Sequence, residues 1–376
     1  MGLSFWKRRG RRTVAAATLT AVVVSGTAGW ASGQEQRPLT GPPPGTTSWR
    51  ADEATVGRLP DPATASPSQV ASFFRGLSGS EQHELAARHP SVVGNLDGTP
   101  IELRYEANAL ALRAARTRAL TEANNRTLGE RQRDAARALA ERCSELLAHG
   151  RRILAFDPRG RGQVAEVYGD LPSADHVSVI VPGSDIDLGT FDRTTDMYGT
   201  PAGMARSLHR ATGGRTAVVA WVGYTTPVGL GPDAATGRLA EAGAPRLARF
   251  VQGLTAAGTP KPTVFCHSYG SVVCGLAASR LPASNLVALG SPGLRADSVA
   301  DLHTRARVWA ARDADDWIGK VPNVELFGLG HGADPTDPSF GARRVPAAHA
   351  KGHTGYFAPG TDSLRAFARI ATGDAS

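Results

Sequence analysis

The chain divides by the rhythm of its apolar positions. Between residues 68 and 149 they recur at three- and four-residue spacing, which predicts helices. Ser68 is placed to cap a helix carrying Val70, Phe73, Phe74 and Leu77; Ser80, with Glu81 and Glu84 behind it, opens a second that ends before Pro90. Ile101 to Leu120 and Glu130 to Leu147 are long Ala- and Arg-rich stretches without internal Pro. No strict heptad is sustained across them, so they read as a helical packing unit rather than a partner-binding coiled coil.

From Gly150 the period shortens. Ile153 to Phe156 and Gln163 to Val167 flank the turn Asp157-Pro158-Arg159-Gly160 and predict a hairpin. His176 to Val181, Ala217 to Trp221, Thr263 to Cys266, Leu286 to Leu289 and Arg307 to Ala310 are short apolar runs of the kind that form buried strands. Helical stretches at Asp196 to Ala211, Arg238 to Leu254, Ser271 to Leu281 and Ser363 to Thr372 separate most of them. The expected fold class is α/β, a mixed, mostly parallel sheet with helices on both faces, preceded by an N-terminal helical region.

The remaining segments are set by composition. Residues 34–67 hold Pro38, Pro42, Pro43, Pro44, Pro60, Pro62 and Pro67 and read as a Pro-rich linker, an extended tether. In residues 1–33 a basic run from Lys7 to Arg12 precedes the uncharged stretch Thr13 to Val24 and small residues around Ala28 to Ala31, the three-part pattern of an export signal. An uncleaved anchor is the alternative, because Thr13 to Ala31 just reaches spanning length, diluted by Thr, Ser and Gly. The pair Arg11-Arg12 lacks the downstream hydrophobic pair of a twin-arginine signal. No later segment approaches spanning length, so the expectation is a secreted or cell-envelope protein without polytopic insertion. Its parts are then 1–33, 34–67, 68–149 and 150–376.

Over the whole chain, 376 residues with 41% hydrophobic and 20% charged composition exclude a collagen, a disulfide-dense mini-protein and a wholly disordered chain. The net charge of +8 invites a nucleic-acid partner, yet five of those units lie in the first 33 residues. Only four of the 42 basic residues are Lys, and the Arg are dispersed without a stripe. No nucleic acid is expected. The cysteines are Cys143, Cys266 and Cys274, with no C-x-x-C and no Cys/His zinc spacing, so neither cofactor nor metal is called for. Asp185 and Asp187, in a Gly-rich loop, read as turn formers.

The chemistry concentrates in Val264-Phe265-Cys266-His267-Ser268-Tyr269-Gly270-Ser271-Val272-Val273. An apolar strand ends in a tight turn with Ser268 at its apex, and an Ala- and Val-rich helix follows at once. That is the setting in which a G-x-S-x-G turn exposes a nucleophilic hydroxyl, with Cys266 standing for the first Gly. Such a serine needs a base and an acid to orient it, in the chain order Ser, acid, His. The acid is expected just past Arg307 to Ala310. Asp316 is favoured because Trp317 and Ile318 can anchor its loop; Asp313 and Asp315 are alternatives. His353, in a Gly-flanked loop before the last helix, is favoured as base over His331, and His267 is expected to pack behind the turn. An oxyanion hole would take the N–H of Tyr269 and that of Ser184, with Gly183 as alternative to Ser184. Cys266 and Cys274 fit either a disulfide bracing the turn or two buried thiols.

Val181-Pro182-Gly183, Trp221-Val222-Gly223-Tyr224, His267-Ser268-Tyr269-Gly270-Ser271, Gly290-Ser291-Pro292-Gly293, Gly332-Ala333-Asp334-Pro335 and Gly352-His353-Thr354-Gly355-Tyr356-Phe357 resemble an actinobacterial α/β-hydrolase family long catalogued as a domain of unknown function, with its GHSYGS-type elbow. The similarity covers about Leu154 to Gly373, and Gly94-Asn95-Leu96-Asp97-Gly98 resembles the region such proteins carry in front. The resemblance implies a serine hydrolase with Ser268, an Asp past the penultimate strand, and His353. It implies no substrate. Ser291 to Arg305 is too short for the cap domain many members of the fold insert, so the N-terminal helical region is expected to cover part of the cleft.

The leading functional expectation is an exported serine hydrolase, carboxylesterase- or lipase-like, that cleaves a small-molecule or lipid ester through an acyl-enzyme. A non-catalytic binding or envelope-interaction protein on the same fold, and an acyltransferase, are the other two classes.

Overall fold

A computed structural model describes residues 35–53, 58–326 and 328–375; the expected export signal lies outside the described residues. The apolar runs after Gly150 form the strands β1 (Arg152–Asp157), β2 (Gln163–Tyr168), β3 (His176–Val181), β4 (Thr216–Val222), β5 (Thr263–His267), β6 (Asn285–Leu289) and β7 (Arg307–Ala311). β8 (Glu325–Leu326) and β9 (Leu329–Gly330) make a separate two-stranded ribbon, and β10 (Arg343–Arg344) joins the main sheet. The main sheet has eight strands in the order β1-β2-β4-β3-β5-β6-β7-β10. β2 runs antiparallel to both its neighbours, and every other pairing in this sheet is parallel.

Along the central strands successive side chains enter opposite layers. Val179, Val264 and Leu286 face one core; Ile180, Phe265 and Val287 face the other. Both faces are covered, which is why these runs are continuously apolar rather than alternating.

The helices are α1 (Thr46–Arg50), α2 (Pro67–Arg75), α3 (Gly79–Arg88), α4 (Pro90–Val93), α5 (Ile101–Asn124), α6 (Glu130–Leu146), α7 (Pro201–Ala211), α8 (Pro232–Ala235), α9 (Arg238–Ala256), α10 (Gly270–Ala277) and α11 (Asp362–Ala371). Residues of α9 and α10 fill the first core, and residues of α7 and α11 the second. Ser66 and Ser78, not Ser68 and Ser80, cap α2 and α3. A capping box needs its Glu or Gln three residues on, and Gln69 and Glu81 satisfy that for Ser66 and Ser78. The stretch expected from Asp196 opens with a single 3-10 turn, Met197–Gly199, and becomes α-helical only at Pro201, where Thr200 is the cap and Pro takes the first position.

The Pro-rich segment departs from the expected tether. Trp49 of α1 is fully buried with Val70, Phe74, Leu85 and Val92, and its indole N–H donates to Pro60 O at 2.8 Å. Further back, Gln36 N–H donates to Asp233 at 2.6 Å and Leu39 N–H to Thr225 Oγ1 at 3.0 Å. One tryptophan and a few backbone bonds outweigh a polar composition.

The helical region docks on the sheet edge. Asn95 exchanges two hydrogen bonds with the backbone of Phe156, and the Arg104 guanidinium donates to Leu154 O at 3.0 Å. These bonds satisfy groups of β1 that no further strand pairs. They also give the Gly94-to-Gly98 motif a structural task. The region therefore packs at the β1 end, while the residue that follows β5 sits mid-sheet.

Candidate active site

β5 delivers Ser268 at its C-terminal end with φ +54, a left-handed conformation that costs a non-glycine residue energy. Close packing enforces it. Ser268 N–H donates to Leu289 O at 3.0 Å, and the Ser271 hydroxyl donates to Ser268 O at 2.6 Å. A Cβ on Gly270 would lie 2.5 Å from the carbonyl oxygens of Val181 and Pro182, and one on Gly183 would lie 2.6 Å from Ser268 Cβ. Cys266 and Cys274 are disulfide-bonded, with Cα atoms 6.4 Å apart, so the strand entering the turn is tied to the helix leaving it. Of the two arrangements the spacing allowed, the structure has the bond; Cys143 is a buried free thiol, its pKa pushed up to about 11 by burial.

Asp316 follows β7 and caps a single 3-10 turn, Trp317–Lys320, by accepting Ile318 N–H at 2.9 Å. Its side chain is fully buried. Oδ1 accepts His353 Nδ1–H at 2.8 Å, and Oδ2 accepts the Tyr356 hydroxyl at 2.6 Å. Burial alone would raise the Asp316 pKa; the bonds from His353, Tyr356 and Ile318 outweigh it and hold the carboxyl below its ordinary range. Because Nδ1 donates to a carboxylate, Nε2 of His353 is the acceptor, and it meets Ser268 Oγ at 2.9 Å. The structure thus brings Ser268, His353 and Asp316 into one hydrogen-bonded line.

The other candidates fall elsewhere. Asp315 is exposed, and Asp313 accepts Gly352 N–H at 3.1 Å, which fastens the loop carrying His353. His331 donates to Ala234 O at 2.7 Å and stands edge-on to the Tyr269 ring, and burial drives its pKa down to about 4. His267 donates through Nε2 to His353 O at 2.7 Å, with ring centroids 4.8 Å apart. Burial pushes its pKa down to about 3, so it is a neutral support beneath the other imidazole. Asp187 is consumed by Arg161, and Asp185 accepts Gly229 N–H.

A cleft of about 150 Å³ opens over Ser268, lined among others by Gly183, Ser184, Leu230, Trp317 and His353. Neither Tyr269 N–H nor Ser184 N–H meets a protein acceptor among the described residues, which leaves both available to a bound oxygen. None of the cleft's lining residues comes from 68–149. The expected cover by the helical region is therefore corrected: docking on β1 at the sheet edge holds it away from the turn after β5. Sequence reasoning missed Tyr356, although it lay inside a quoted motif, because a phenol that touches only the second oxygen of a buried carboxylate follows no spacing rule.

A family model described as alpha/beta hydrolase matches residues 157–326. The match runs from the end of β1 to β8 and so includes the turn that carries Ser268. The chain has the α/β-hydrolase fold. Two uncharacterized proteins of Mycobacterium tuberculosis, one from each of two strains, are 30% identical to it over 84% of its length. The chain spans 57% of the length of those relatives. Among solved structures, a serine hydrolase without a lid from Xanthomonas campestris aligns with 60% of this chain and 95% of its own, at 17% identity and a TM-score of 0.35. A hydrolase from Thermoplasma acidophilum described as CIB-like aligns with 60% of this chain and 97% of its own, at 15% identity and a TM-score of 0.33.

Proposed function

We propose that this α/β-hydrolase-fold protein is an exported serine hydrolase that cleaves a carboxylic ester through an acyl-enzyme. The observation that carries the reading is the line Ser268 Oγ to His353 Nε2 at 2.9 Å and His353 Nδ1 to Asp316 Oδ1 at 2.8 Å, at the floor of a cleft. Export rests on the pattern Lys7 to Arg12, Thr13 to Val24, Ala28 to Ala31.

In this reading Ser268 Oγ attacks the ester carbonyl while His353 Nε2 takes its proton, and Asp316 stabilises the resulting imidazolium. Charge on the tetrahedral oxygen falls to the N–H groups of Tyr269 and Ser184, with Gly183 N–H the alternative to the latter. His353 then returns the proton to the departing alcohol, leaving an acyl group on Ser268. Water, activated by the same imidazole, releases the acid. A cleft of about 150 Å³ favours an acyl group of a few carbons.

Labelling with a fluorophosphonate probe tests the reading. The wild type reacts, and Ser268→Ala and His353→Ala do not. Absence of labelling in the wild type sinks the hydrolase and favours a binding protein. A panel of esters and thioesters of graded acyl length then ranks substrates, with turnover falling as the chain lengthens.

A further inference from the structure

A second cavity, of about 430 Å³, lies where the Pro-rich segment, the helical region and the α/β domain meet. It shares no lining residue with the cleft over Ser268. Four guanidinium groups line it, those of Arg104, Arg159, Arg246 and Arg249, against two carboxylates, Asp97 and Asp157. Asp97 is divided between Arg104 at 3.3 Å and Arg249 at 3.7 Å, and Asp157 pairs with Arg159 at 2.6 Å.

Arg246 is left over. It forms no ion pair among the described residues, and its hydrogen bonds go to neutral acceptors, Gly223 O and Gln163 Oε1. Burial pushes its pKa below the usual guanidinium range. Beside it stands a second incomplete group. Gln163 is 5% exposed, and its Nε2 meets no acceptor among the described residues. Because Oε1 is already held by Arg246, the amide cannot be turned over to hide that N–H. Asp97 and Asp157 act on Arg246 only at a distance, each already paired with other arginines, and a buried donor without an acceptor is costly. Arg246 and Gln163 line the same cavity, where an oxyanion can reach the Arg246 guanidinium; Gln163 Nε2 has almost no accessible surface.

We propose that this cavity, in which four guanidinium groups face two carboxylates, binds a small organic anion with its carboxylate or phosphate oxygens on Arg246 and its body against Trp221 and Phe250, which also line the cavity. The volume lies within the range of ordinary ligand sites. The proposal is independent of any activity at Ser268.

Titration calorimetry of the full chain with sodium phosphate and with sodium benzoate, against a chloride blank, tests it. Saturable one-site binding of either anion is expected, and the preferred anion distinguishes a phosphate from a carboxylate ligand. Arg246→Gln weakens that binding roughly ten- to hundredfold, as loss of a charge-assisted hydrogen bond does. Gln163→Glu places the missing carboxylate beside Arg246, so it abolishes anion binding and raises the melting temperature of the unliganded protein. The thermal melts also report whether each variant is folded. No saturable heat from either anion overturns the proposal, and so does binding that both folded variants retain unchanged.

Discussion

The hydroxyl of Tyr356 grips the oxygen of Asp316 that faces away from His353, at 2.6 Å, while accepting Asp313 N–H at 3.0 Å. One phenol thus links the loop after β7 to the loop that carries the imidazole. Tyr356→Phe removes a bond that holds the Asp316 carboxyl down, so the Asp316 pKa rises. The expected result is a fall in kcat on the order of tenfold and an acid limb of the pH-rate profile moved upward, with KM nearly unchanged. Steady-state kinetics across pH on one ester separates this positioning role from a merely structural one, which would leave the acid limb in place.

Gly183 presses its backbone on Ser268. Alanine there would set a Cβ 2.6 Å from Ser268 Cβ and 2.9 Å from Oγ. Gly183→Ala is expected to slow fluorophosphonate labelling on the order of a hundredfold, the scale set by small misplacements of reacting groups. Its circular dichroism spectrum stays that of the wild type.

The Cys266–Cys274 bond closes a short loop, a sequence separation of eight, around the turn. Cys266→Ser with Cys274→Ser is expected to lower stability by roughly 2–3 kcal/mol, read from urea unfolding. Both cysteines are fully buried, so mild reductant leaves the native wild type unchanged until it opens.

Two buried imidazoles set the acid stability. His267 and His331 have folded pKa values near 3 and 4, against 6.5 for an ordinary histidine. Between those limits the unfolded chain binds more protons than the folded one, so stability rises with pH and is lost as pH falls below about 6.5. Each residue adds up to about 1.4 kcal/mol per pH unit in its window. Melting temperatures from pH 7 to 4.5 should fall steeply, and His331→Gln should flatten the slope while preserving the fold.

The strands of the α/β domain were legible because each is a short, doubly buried run, and its candidate site because a serine at the end of such a run has few neighbours to choose from. Ser268 and His353 could be named from spacing and chain order, and Asp316 preferred over Asp313 and Asp315 for the apolar pair behind it; His353 stands within hydrogen-bond distance of both Ser268 and Asp316. What was misread depended on single partners: Ser66 finds Gln69, Ser78 finds Glu81, and Trp49 finds a core assembled from four later helices. The placement of the helical region was hidden for the same reason. Asn95 and Arg104 read as ordinary polar residues until the backbone of β1 stands opposite them.

The left-handed backbone at residue 268 has one further consequence. Glycine adopts φ +54 without steric cost, whereas serine gives up about 1 kcal/mol there. Judged by folding alone, the best occupant of that corner is the residue with no hydroxyl to offer. Selection for thermal robustness, left unopposed, would erase Ser268; under the proposed function, its presence measures how far the chain leans toward chemistry and away from its own stability.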